Sequence, residues 1–90
     1  MNNILTVDPE EVLQNSNAHH FMVIWSTSQG EFFGTGGGSF QNAVHGQIDS
    51  PAVPRNNAVE EYYNLVRTAK AHPLIKDGKI DLVPIPTFEN

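Results

Sequence analysis

Apolar residues recur along this chain with two different periods, and the periods separate strands from helices. The stretch HHFMVIW at 19–25 is rich in aromatic and β-branched residues and is apolar at both parities, which predicts a central strand covered on both faces. STSQG at 26–30 reads as a turn, with Gly30 available for a positive φ, and Glu31-Phe32-Phe33 as the returning antiparallel strand. Together they predict a hairpin over 20–34. Helical spacing takes over in NAVEEYYNLVRTAKAH, where Ala58, Val59, Tyr62, Leu65, Val66 and Ala69 form one apolar stripe. The main helix is therefore predicted over 57–72 and packed across one face of the hairpin. Asn57 and Glu60 make its capping pair, Arg67, Lys70 and His72 suit its last turn, and Pro73 stops it.

Shorter segments carry local signals. ILTV at 4–7 predicts a first strand, and Asp8-Pro9-Glu10-Glu11 an N-cap, a first-turn proline and a capping box for a short helix near 9–14. Ser39 is placed to cap a second short helix near 40–45, with Phe40, Ala43 and Val44 at helical spacing and Gly46 to end it. Asp77-Gly78 predicts a turn, either within a second short hairpin or at a helix-to-strand corner. A C-terminal strand follows over 79–83, which Pro84 and Pro86 restrict to a sheet edge, and Thr87–Asn90 forms a loose tail. The expectation is a single α+β domain over 1–90, a small antiparallel sheet with one main helix on one face.

Composition narrows what such a domain can do. Ninety residues lie near the lower limit for a self-sufficient core, so homo-oligomerisation stays open. The absence of cysteine excludes disulfides and thiolate chemistry. No signal peptide or membrane-length apolar run is visible, which predicts a soluble, cytoplasmic chain. The net charge of −5 is unevenly spread: Arg55, Arg67, Lys70, Lys76 and Lys79 all follow residue 54, whereas Asp8, Glu10, Glu11, Glu31 and Asp49 precede it without a single Lys or Arg. A first half without cations is a poor nucleic-acid surface and suits a basic protein partner.

The densest motif is EFFGTGGGSFQNAV at 31–44, which holds four glycines within 34–38. A glycine-rich loop before a helix start is the geometry that holds a phosphate. Here no Gly-Lys-Ser/Thr follows, the dinucleotide spacing is missing, and the preceding strand belongs to a hairpin. A small phosphorylated ligand or nucleotide at Gly36, Gly37, Gly38 and Ser39 would need Arg55, Arg67 or a second chain to balance its charge. Four glycines exceed what one turn requires, and a recognition loop that orders on binding accounts for the surplus.

Other chemistry is thin. His19, His20, His45 and His72 lack metal-ligand spacing, so no metal or other cofactor is expected. Ser39 has no GxSxG context and no partner base, and the helix dipole accounts for Glu60 and Glu61. Tyr62 and Tyr63 stand about 100° apart on a helix, so if Tyr62 faces the sheet Tyr63 reaches the border of the stripe. The partner surface expected from the sequence is Phe32, Phe33, Gly34, Gly36, Gly37, Gly38, Ser39 and Tyr63. If the second sheet face is uncovered, Trp25 or a phenylalanine on it would form an apolar patch suited to dimerisation or to a partner. In general character a short, acidic, cysteine-free domain looks like the small accessory inhibitors that phages and mobile elements encode. That resemblance of type implies a non-enzymatic inhibitor or sequestering protein acting through protein–protein contact, without direct nucleic-acid or membrane binding.

Overall fold

The structure, a computed structural model, describes residues 3–34, 40–42 and 52–85. Strand β1 (Asn3–Leu5) leads into helix α1 (Pro9–Gln14), followed by the hairpin β2 (His20–Thr27) and β3 (Gly30–Gly34). Then come β4 (Phe40–Asn42), β5 (Val53–Pro54), helix α2 (Arg55–Lys70) and β6 (Asp77–Ile85). Five strands form one sheet in the order β1-β6-β2-β3-β4, and the two-residue β5 pairs with β2. The α+β class, the 20–34 hairpin, the short helix at 9–14 and one main helix on one face all follow the sequence pattern. Asp8 caps α1, its carboxylate accepting from the Glu10 N–H at 3.0 Å.

Several details differ from the pattern. The sheet is mixed rather than antiparallel, because Asn3–Leu5 pairs in parallel with Asp77–Lys79. The C-terminal strand is not an edge: β6 lies between β1 and β2, antiparallel to β2 from His20↔Ile85 to Ser26↔Lys79. The constraint set by Pro84 is still met, since the pairing with β1 ends at Leu5↔Lys79 and among the described residues no strand lies outside the rest of β6. In place of a helix near 40–45, Phe40–Asn42 is a strand that pairs with Phe32–Gly34; residues 43–45 lie outside the described residues. A two-turn helix is marginal alone, and the open hydrogen-bonding edge of β3 offers the backbone a better partner.

The main helix starts at Arg55 rather than Asn57, with no side-chain cap. Pairing of β5 with His20 and Phe21 delivers the Arg55 N–H to the His19 carbonyl at 2.9 Å, so the strand supplies what a capping side chain would. At the other end His72 organises the corner before β6. Its Nδ1 accepts from the N–H groups of Leu74 and Ile75, and its ring stands edge-on to Trp25 at 5.6 Å.

The core lies between α2 and one face of the sheet. Ala58, Tyr62, Leu65, Val66 and Ala69 descend from the helix onto Phe21, Val23, Trp25, Phe32, Ile80 and Leu82. Trp25, which the sequence allowed on the second face, is fully buried under the helix, and its indole N–H donates to the Asp77 carbonyl at 2.9 Å. The Asp77 carboxylate accepts from the N–H and hydroxyl of Ser28, fastening the β2–β3 turn to the start of β6. Asp77-Gly78 is not a turn but the first two residues of β6, paired with Asn3 and Ile4 directly after the helix-to-strand corner, and Gly78 takes a φ of +113° there. A Cβ on Gly78 would meet the Ser26 carbonyl oxygen at 2.2 Å and the Trp25 indole nitrogen at 3.0 Å.

Gly78→Ala therefore combines a left-handed backbone with a backbone clash, and urea unfolding should show a loss of at least about 2 kcal/mol. A loss below about 0.5 kcal/mol would mean that the corner relaxes without cost.

Candidate functional site

Two polar ties from α2 fix α1 and shape a groove beside it. The first is Tyr62, whose side chain is fully buried. Its hydroxyl accepts from the Val7 N–H at 2.8 Å and donates to the Ile80 carbonyl at 2.8 Å, joining the β1–α1 link, the sheet and α2 at one atom. The second is Arg55. Its guanidinium donates to the carbonyls of Ser16 at 2.8 Å and Ala18 at 3.0 Å and also to that of Leu13, and it lies over the Phe21 ring at 5.7 Å. The Leu13 carbonyl at the end of α1 also accepts from the Ser16 N–H at 3.3 Å, so Arg55 adds to that local cap and ties in the Ser16 and Ala18 carbonyls beyond it.

Between these ties, α1 and the far end of β6 enclose a groove of about 380 Å³. Val7, Val12 and Pro84 form its apolar wall, and Asp8, Glu11, Asn15 and Ser16 its polar side. Pro84 is in register with the buried Phe21, so the groove opens on the helix side of the sheet. The cation nearest in sequence, Arg55, is turned onto backbone carbonyls. The Glu11 carboxylate has no hydrogen-bond or ion-pair partner among the described residues. Apolar walls under an unneutralised carboxylate suit a group with an aliphatic stem and a cationic tip.

The opposite face of the sheet is a second surface. Alternation along β2 and β6 buries Phe21, Val23, Trp25, Ile80 and Leu82 on the helix side and leaves Met22, Ile24, Val83 and Ile85 partly exposed on the other. Met22 pairs with Val83, and Ile24 with Asp81 and Phe33. Lys79, Ser26 and Glu31 form one cross-strand row at the end of this face. Among the described residues no helix or strand covers it.

Phe32 and Tyr63, the two residues expected at the partner surface whose side chains are described, do not share one surface. Phe32 is in the core, its ring 5.3 Å from that of Trp25. Phe33 and Gly34 pair through their backbones with Gln41 and Phe40, while Gly36, Gly37, Gly38 and Ser39 lie outside the described residues. Tyr63 is 45% exposed on the outer side of α2, its ring edge-on to Tyr62 at 5.8 Å. Arg55 is committed to α1, and Arg67 contacts Asn64 on its own helix, which leaves the phosphate reading with Arg67 as its one chain-internal cation. The groove was missed because Asp8 and Glu11 were fully accounted for as capping residues. The available signal was that neither acid has a Lys or Arg before residue 55.

Among the described residues no three His, Asp or Glu side chains are placed to share a metal ion, and no helix is long and apolar enough to cross a membrane.

Burial raises the Tyr62 phenol above its ordinary value of 10.0; the Val7 N–H opposes this, and Asp81 and Tyr63 add to it. Because the folded protein holds that proton more tightly than the unfolded chain, the stability it contributes is complete below pH 10.0 and is lost as pH rises above it. Tyr62→Phe should lower stability by about 1–3 kcal/mol near neutral pH, since a buried N–H and carbonyl lose their partner. It should also flatten the alkaline fall in denaturant midpoint, and an unchanged alkaline limb would remove Tyr62 as its source. Compared with protein-family models, with curated proteins and with solved structures, the chain matches none of them.

Proposed function

We propose that this protein is a non-enzymatic binding module that acts by protein–protein interaction and receives a basic side chain of its partner in the α1–β6 groove. One observation carries the reading: the Glu11 carboxylate, without a counter-cation among the described residues, stands over an apolar wall of Val7, Val12 and Pro84. A lysine or arginine would lay its methylene stem on that wall and its charge against Glu11 and the second oxygen of Asp8. The uneven charge of the chain supports the same partner, because no Lys or Arg occurs in the first 54 residues to repel it. An inhibitor or sequestering protein of this kind occludes a basic surface on its target without any bond being made or broken.

Titration with a lysine-rich peptide, followed by amide chemical shifts, should perturb Val7, Glu11, Val12 and Asn15, and the binding should weaken with added salt. Glu11→Lys should reduce the affinity at least about tenfold. Equal binding of a matched glutamate-rich peptide, or unchanged affinity in Glu11→Lys, would overturn the assignment.

A further inference from the structure

Strand β2 is apolar on both faces, as strands covered on both sides are, yet among the described residues only one face has a cover. Met22, Ile24, Val83 and Ile85 make the centre of the other face, and its charges are not randomly placed. Lys79 and Glu31 sit on the strands flanking β2, both in register with Ser26, and so stand about 10 Å apart on either side of it. Asp81, beside Ile24 on β6, is engaged within its own chain: it accepts from the Leu82 N–H at 3.0 Å and lies 4.0 Å from Lys79.

We propose that this face packs against the same face of a second copy, forming a two-sheet sandwich about a two-fold axis that runs along β2. Rotation about that axis exchanges the β6 side with the β3 side. Each Lys79 then lies opposite the second copy's Glu31, while Ile24 meets Ile24 and Met22 meets Met22 across the axis. The arrangement is isologous and closed, so it ends at a dimer and does not propagate. Aligned packing of two such sheets, about 10 Å apart and rotated by about 30°, keeps both charge pairs at the rim and the four apolar residues inside.

A second copy fits better than an unrelated partner because the pattern complements itself. A foreign surface would have to supply acid opposite Lys79 and base opposite Glu31 at a spacing this chain already carries. The acids of α1 lie on the helix side, so they add little repulsion across the dimer. The sandwich also supplies the second cover that no helix provides among the described residues. It is independent of the groove, which stays open on the outside of each protomer.

The test is sedimentation velocity on the full chain over a concentration series, with circular dichroism as a check on folding. The wild type should be a dimer that dissociates on dilution, and Ile24→Glu should be a folded monomer. Lys79→Glu and Glu31→Lys should each weaken the dimer at least about tenfold, and the two together should restore most of that loss. The restoration keeps the test decisive even if Ile24→Glu unfolds. A wild type that is monomeric up to about 0.5 mM would overturn the proposal, as would a double variant no tighter than either single one. None of these outcomes bears on peptide binding at Glu11, which fails or stands by its own titration.

Discussion

The Tyr62 hydroxyl is the constraint on which the rest of the arrangement depends. It sits where three parts of the chain meet, accepting from Val7 after the first strand and donating to Ile80 in β6 from its own place on the main helix. A buried hydroxyl must find such partners, because leaving it or its partners unpaired costs about 1–3 kcal/mol each. Satisfying both roles at once sets the rotation of α2 over the sheet. It also sets the entry of α1, whose six residues are too few to be stable alone. Arg55 does the equivalent work from the first position of α2, gathering the carbonyls of Leu13, Ser16 and Ala18. Helix α1 is thus held by polar ties from α2, and the groove beside it is a by-product of where those ties place it.

The same sheet divides the molecule electrically. Its helix side carries the acids of α1 beside an apolar groove, and Arg55, the cation that reaches α1 among the described residues, is spent on backbone carbonyls. Its other side carries an apolar centre with mixed charges arranged about β2. One surface is suited to a basic side chain and the other to its own copy, and both readings arise from where charge is left without a local answer.

Legibility followed the range of the interactions. The hairpin was readable because Gly30 and the runs on either side are neighbours in sequence. Helix α2 was readable because its stripe repeats over four turns, and five of the six stripe residues are buried. Helix α1 was readable from Asp8 and Pro9. The pairing of Asn3–Leu5 with Asp77–Lys79 joins opposite ends of the chain and leaves no local trace. For the same reason β6 read as an edge: Pro84 announced a free edge, which exists only beyond Lys79. Phe40–Asn42 carried helical spacing but became a strand, because the open side of β3 was available to it. Phe32 and Phe33 are alternatives by strand parity, and only the register of Phe32 with Trp25 places Phe32 in the core.

What the sequence determined by itself was the hairpin, the short helix α1, the apolar face of α2, and an uneven charge distribution in which every Lys and Arg follows residue 54. These are properties of neighbours within a few residues, where periodicity and capping act. The tertiary structure decided the strand order, the roles of Tyr62 and Arg55, the burial of Trp25, and the presence of both surfaces. Each depends on groups far apart in the chain reaching hydrogen-bonding distance or a shared face, and packing rather than local preference governs that.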